Sequence, residues 1–213
     1  MSFLLYGIVA DGKPAKTPDE SLVYIQGGGL FAVVAASGHI SQDVESVLAF
    51  GKVVECIHRH TTIIPIRYGT LLPDADAVAS HLSVMADDYR GRLAELAGCE
   101  EMGIRLPLPK PACPAKPAPP TASGRDYLQS LKRKYSATEQ AEHQAAALNL
   151  ALAGLYRKQR GETGLFNGEP MYLLSYLVPR DKLPVFRERL DALADSGHFQ
   201  GTVSGPWPPY NFV

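Results

Sequence analysis

Phe3-Leu4-Leu5-Tyr6-Gly7-Ile8-Val9 opens the chain with seven uncharged residues that are apolar on both alternating faces. A strand with one wet face alternates polar and apolar residues. A strand covered on both sides does not. The stretch therefore predicts a central strand with protein on each side.

The segments that follow supply its neighbours. Residues 22–26 and 30–36 read as two strands around the hairpin-like turn Gly27-Gly28-Gly29. Ser41 and Asp43 cap a predicted helix over about 43–59, with Val44, Val47, Leu48, Val54 and Ile57 roughly on one face. Residues 61–68 return as a strand. Pro65 has no backbone donor, which puts it at a sheet edge or a strand end. Pro73-Asp74 opens a second helix to about residue 96, closed by Gly98, and Gly103–Leu106 reads as a short strand. Strands with interleaved helices and a hairpin suit an α+β sandwich of ferredoxin-like type.

Seven prolines fall between residues 107 and 120, interleaved with Ala and Lys, as in a semi-rigid spacer. A PxxP ligand for an aromatic groove is the sharper alternative. Beyond it, Ser123 and Asp126 make a capping-box-like start, and helix formers run without proline to about 160. Such a helix, at about 123–160, would be roughly 55 Å long. Over 124–160, seven basic residues face three acidic ones, a local surplus of +4 that includes Lys132 and Arg133. An apolar strand (171–178), a helix (about 181–195) and a last strand (198–204) complete a second α+β unit. The expected division is 1–100 and 101–213, the second part beginning near the spacer.

The chain ends Gly205-Pro206-Trp207-Pro208-Pro209-Tyr210-Asn211-Phe212. Three prolines fix φ and remove donors, which predicts a stiff arm unable to extend a sheet. It carries the sole Trp, with Tyr210 and Phe212 close behind. Such an arm either packs on its own core or anchors a partner.

Composition narrows the function. At 46% apolar, 20% charged and a net charge of −1, the 213-residue chain is ordinary globular material with no global pull toward nucleic acid or anionic membrane. No segment approaches the roughly 20 apolar residues of a membrane span. The N-terminus has no signal-peptide pattern, so cytoplasm is the expectation. Cys56, Cys99 and Cys113 lack CxxC spacing.

Candidate chemistry is thin. His58-Arg59-His60 is the nearest approach to a metal pair and has no third ligand close in sequence. Gly27-Gly28-Gly29 lacks the Lys-Ser/Thr end of a phosphate loop. The scattered histidines accompany no nucleophile motif. Asp87-Asp88 and Glu100-Glu101 are adjacent, so their side chains diverge, and both pairs read as solvated faces. Arg67, between Ile66 and Tyr68, reads either as a structural Arg stitching a loop through carbonyls or as an exposed contact.

Several of these segments carry a joint resemblance. Thr62-Ile63-Ile64-Pro65-Ile66-Arg67-Tyr68-Gly69-Thr70, the aromatic C-terminus, Leu5-Tyr6-Gly7-Ile8-Val9, Gly124-Arg125-Asp126-Tyr127-Leu128 and Tyr176-Leu177-Val178-Pro179 together resemble the F/L family of gas vesicle accessory proteins. The resemblance implies two ferredoxin-like α+β domains, no catalytic residues and no cofactor or metal. It implies a cytoplasmic assembly factor that associates with gas vesicles. Its expected partners are the small hydrophobic shell protein and other accessory proteins. Expected contact residues are Pro65, Arg67, Tyr68, Lys132, Arg133, Trp207, Tyr210 and Phe212. The rival from the residues alone is a small-molecule-binding or enzymatic α+β sandwich.

Overall fold

Strand β1 (Phe3–Val9) lies inside a sheet ordered β2-β3-β1-β4, where β2 is Val23–Gly27, β3 Leu30–Ala36 and β4 Ile63–Pro65. A two-residue strand, β5 (Leu71–Leu72), also pairs with β1. The computed structural model describes residues 2–13, 17, 21–38, 40–108, 124–197 and 199–213, with 124–137 described by backbone alone. The proline-rich stretch from 109 and the Ser123 cap fall outside them. The chain divides into two units, Met1–Glu101 with Pro206–Val213, and Met102–Gly205.

In the first unit both faces of the sheet are covered, as the opening heptapeptide predicts. Val33 and Ala35 of β3 join Tyr6 and Val9 against helix α1 (Val44–His60), through Phe50, Val53, Val54 and Ile57. The alternate residues Ala32 and Val34 are also fully buried, on the side packed by α2 (Ala75–Val84). The single helix expected over 74–96 is two, because Met85 leaves helical dihedrals (φ −96°, ψ 8°) before α3 (Ala86–Leu96) begins. Gly28 and Gly29 take positive φ, 57° and 75°, in the β2–β3 turn. A Cβ on Gly28 would also lie 2.8 Å from that of Ala86. The turn therefore requires glycine both for its left-handed backbone and for its clearance.

The second sheet and its helices run β6 (Cys99–Pro107), α4 (Gly124–Ala151), β7 (Lys158–Phe166), β8 (Glu169–Pro179), α5 (Leu183–Asp195) and β9 (Thr202–Trp207), with the strands in spatial order β7-β8-β6-β9. This is the split β-α-β arrangement of ferredoxin-like folds. Met102, Ile104 and Leu106 join Leu174, Tyr176 and Val178 under Leu148 of α4, Leu152 in the turn just after it, and Phe186 and Leu190 of α5.

Three expectations are corrected here. The long helix stops at Ala151 rather than about 160, and Gly154 follows with φ 80°. Its 28 residues span about 42 Å. Residues 158–166 are instead a strand paired antiparallel with β8 around Asn167-Gly168, both at positive φ, the backbone a type I′ hairpin turn requires. The C-terminal arm does extend a sheet. Gly205, Pro206 and Trp207 end β9, which lies at an edge, where a missing N–H costs no ladder bond.

Candidate docking surface

Helix α1 presents an apolar stripe that the described residues leave exposed. Asp43 fixes its start: the carboxylate accepts from the Ser46 N–H at 2.7 Å and the Ser46 hydroxyl at 3.0 Å, and Ser41 Oγ also donates to it. Those bonds hold the Asp43 carboxyl down at about 2, with the Ser41 hydroxyl contributing most. From that cap, Phe50, Val53, Val54 and Ile57 turn to the sheet. Val44, Val47 and Leu48, at i, i+3 and i+4, face outward at 74%, 42% and 60% exposure. The sequence puts them roughly on one face with Val54 and Ile57, but only the latter two are buried. The apolar sector of α1 is wider than the sheet can cover.

A groove of about 740 Å³ opens beside the stripe, walled by Tyr6, Val44, Leu48, Ala49 and Val53, with the exposed Glu45 and Lys52 also lining it. An aromatic ladder floors this region. Tyr6 stacks on Phe50 with centroids 4.5 Å apart, and Tyr68 meets Phe50 edge-on at 5.1 Å. The Tyr68 hydroxyl donates to the Ser41 carbonyl at 2.6 Å, tying the turn after β4 to the residues that cap α1.

The other anticipated contact residues are dispersed. Pro65 ends an edge strand, as expected, but is buried, so it offers no surface. Arg67 is exposed. Its backbone carbonyl accepts from Thr70, whereas its guanidinium makes no hydrogen bond or ion pair among the described residues. Its side chain stitches no loop among the described residues. Trp207 and Tyr210 are 48% and 39% exposed, on an arm whose Pro208 and Pro209 are buried and whose residues Tyr210–Phe212 close a 3₁₀ turn. Phe212 is half-buried. Lys132 and Arg133 lie on α4 where only the backbone is described.

The acidic pairs divide. Asp87 and Asp88 are exposed, paired with Arg90 and Arg92. Glu100 and Glu101 do diverge, but not into solvent. Glu100 meets buried His58 Nε2 at 2.9 Å. Glu101, 5% exposed, accepts from Asn211. Desolvation makes such carboxylates depend on partners, and β6 sets Glu100 against His58 of α1 and Glu101 against Asn211 of the C-terminal arm. His60 Nδ1 lies 2.7 Å from the Cys56 carbonyl and Arg59 pairs with Glu55, so the His-Arg-His run resolves into separate helix-end contacts. His39, His198 and Cys113 lie outside the described residues. Cys56 and Cys99 take part in no disulfide among the described residues. No group of three or more potential metal ligands occurs among the described residues, and no described helix is long and apolar enough to cross a membrane.

Comparison with known proteins gives concordant findings. A family model described as gas vesicle synthesis protein GvpL/GvpF matches residues 2–213. Gas vesicle protein F of Streptomyces sp. (strain CB03234) is 26% identical across the full length of both chains. Gas vesicle protein F2 of Halobacterium salinarum is 26% identical over 79% of this chain and 68% of its own. The crystal structure of GvpF from Microcystis aeruginosa superposes with a TM-score of 0.78 at 14% identity, covering 99% of this chain and 98% of that one. GvpF from Anabaena sp. PCC7120 gives 0.77 at 16% identity, covering 99% and 95%. The two structures establish the shared α+β fold.

Proposed function

The chain belongs to the gas vesicle synthesis protein GvpL/GvpF family, and we propose that it serves there as a non-enzymatic assembly factor that docks the small hydrophobic shell protein on α1. The exposed Val44-Val47-Leu48 stripe beside the Tyr6–Phe50–Tyr68 ladder carries this reading. Contiguous apolar surface is uncommon on a chain that works alone and marks an interaction site. A shell subunit that aggregates through its apolar face is shielded by a complementary apolar stripe, while Glu45 and Lys52 give the contact an orientation. Arg67 and Tyr68 extend this surface. Trp207, Tyr210 and Phe212 form a second contact region on the arm, and the basic run at Lys132 and Arg133 serves acidic accessory proteins. The protein acts in the cytoplasm at the growing vesicle, without cofactor, nucleic acid or membrane insertion.

Co-expression with the major shell protein tests this. The wild-type chain is expected to co-purify with it well above an unrelated hydrophobic control. Leu48→Asp with Val44→Asp should abolish recovery while the melting transition stays put, since exposed substitutions usually cost within about 0.5 kcal/mol. Normal recovery by the double variant would displace the contact from α1. Recovery no better than control by the wild type would remove shell binding altogether.

A further inference from the structure

Strand β7 is a nine-residue sheet edge with no strand among the described residues paired to its outer side: eight of its residues are exposed and Gly164 is half-buried. We propose that β7 pairs antiparallel with β7 of a second copy of this chain, joining the two β7-β8-β6-β9 sheets across a two-fold axis at Gly161.

The pattern of charge along the edge carries the argument. Lys158, Arg160 and Glu162 alternate along one face, opposite Leu177, Ser175 and Leu173 of β8. Two-fold antiparallel pairing sets each residue against one on the same face, so the axis must pass through a residue pair. An axis at Arg160 opposes two guanidiniums. An axis at Glu162 opposes two carboxylates, and an axis at Gln159 sets Lys158 against Arg160. An axis at Gly161 places Arg160 of each copy against Glu162 of the other, with no like-charge contact. On the opposite face it sets Gln159 against Thr163, an amide facing a hydroxyl. Gly161 at the axis has no side chain to hold the strands apart, and the ring of Tyr172 already occupies the space a Cβ there would take.

Charged side chains usually guard an edge strand against pairing. Here the signs are arranged so that a second copy, in one register, sets opposite charges against each other. The backbone ladder supplies affinity and the charges supply the register, as in strand-addition complexes.

Sedimentation equilibrium over a concentration series tests the pairing. The wild-type chain is expected to dimerise, more weakly at high salt as the Arg–Glu pairs are screened. Concentration-dependent protection from amide exchange should be confined to 158–164. Arg160→Glu alone and Glu162→Arg alone should each weaken self-association about tenfold or more, because every charge pair at the axis becomes repulsive. Mixing those two variants should restore a dimer, since one chain then carries only acids and the other only bases at the two positions. A wild-type chain that stays monomeric at its highest soluble concentration overturns the proposal. So do single variants that dimerise as tightly as wild type, or a mixture that fails to recover.

Discussion

Glu101 holds Asn211 at both ends: the carboxylate accepts the Asn211 backbone N–H at 2.9 Å and its side-chain amide at 2.5 Å, across 110 residues of chain. Glu101 is buried, so these bonds are made to a desolvated charge and are worth more than surface ones. They anchor the C-terminal arm to the first unit. Asn211→Ala removes one of the two and is expected to cost about 1.5–3 kcal/mol in urea-induced unfolding. Asn211→Asp should cost more at neutral pH, where two carboxylates would meet, and recover part of the loss in acid as one takes a proton. Equal stability of both variants with the wild type would mean the arm is not held here.

Tyr210 reports on the same anchor. Burial, and then the Glu101 charge, push its phenol up to about 12. The pKa is raised in the fold, so its contribution is fully present below pH 10 and lost as pH rises toward 12. A tyrosinate absorbance titration of wild type minus Tyr210→Phe should show a transition near 12. Glu101→Gln should bring that transition down. A difference curve centred at the ordinary tyrosine value would show the arm undocked in solution.

Gly7 sits where β1 is crossed most closely. A Cβ there would fall against the Ile63 side chain and 2.8 Å from the Ile64 carbonyl oxygen. Gly7→Ala overpacks a fully buried strand pair and should cost about 1–3 kcal/mol, read as a lower urea midpoint at unchanged slope. A neutral Gly7→Ala would show that β4 yields.

How far the sequence discloses this fold depends on which force decides each segment. β1 and β3 were legible because burial on both faces leaves an unbroken apolar run. α1 was legible from Asp43 and its periodicity, yet the helix buries Phe50, Val53, Val54 and Ile57 and leaves Val44, Val47 and Leu48 outside. Periodicity fixes a helix face, not how much of it the sheet can reach. The first three residues of β7 read as helix because Lys158, Gln159 and Arg160 are good helix formers. The strand's state is set by pairing with the apolar β8 through Asn167-Gly168, a hairpin signal present in the sequence. Buried Glu101 has no local signal, since its partner lies 110 residues away.

Asp43 ties the first turn of α1 to acid. Its carboxyl is depressed from 3.8 to about 2, so the cap's contribution is present above the ordinary value and disappears as pH falls through about 2. Amide exchange in the first turn of α1 should therefore accelerate below pH 3 beyond the intrinsic acid dependence. Asp43→Ala should show faster exchange at neutral pH and lose that extra acid response. An unchanged acid response in the variant would assign it to another group.

Arg67 and Tyr68 are adjacent but play separable parts. The Tyr68 hydroxyl is spent on the Ser41 carbonyl and its ring on Phe50. Tyr68→Phe should therefore cost about 0.5–1.5 kcal/mol of stability while leaving shell-protein recovery intact at temperatures where the chain is folded. The Arg67 side chain is exposed and its backbone does the structural work through Thr70. Arg67→Ala should leave the melting transition unchanged and reduce recovery of the shell protein, and more so at low salt, where a charged contact is strongest. If Arg67→Ala lowers stability instead, its side chain is structural and the docking surface ends at Tyr68.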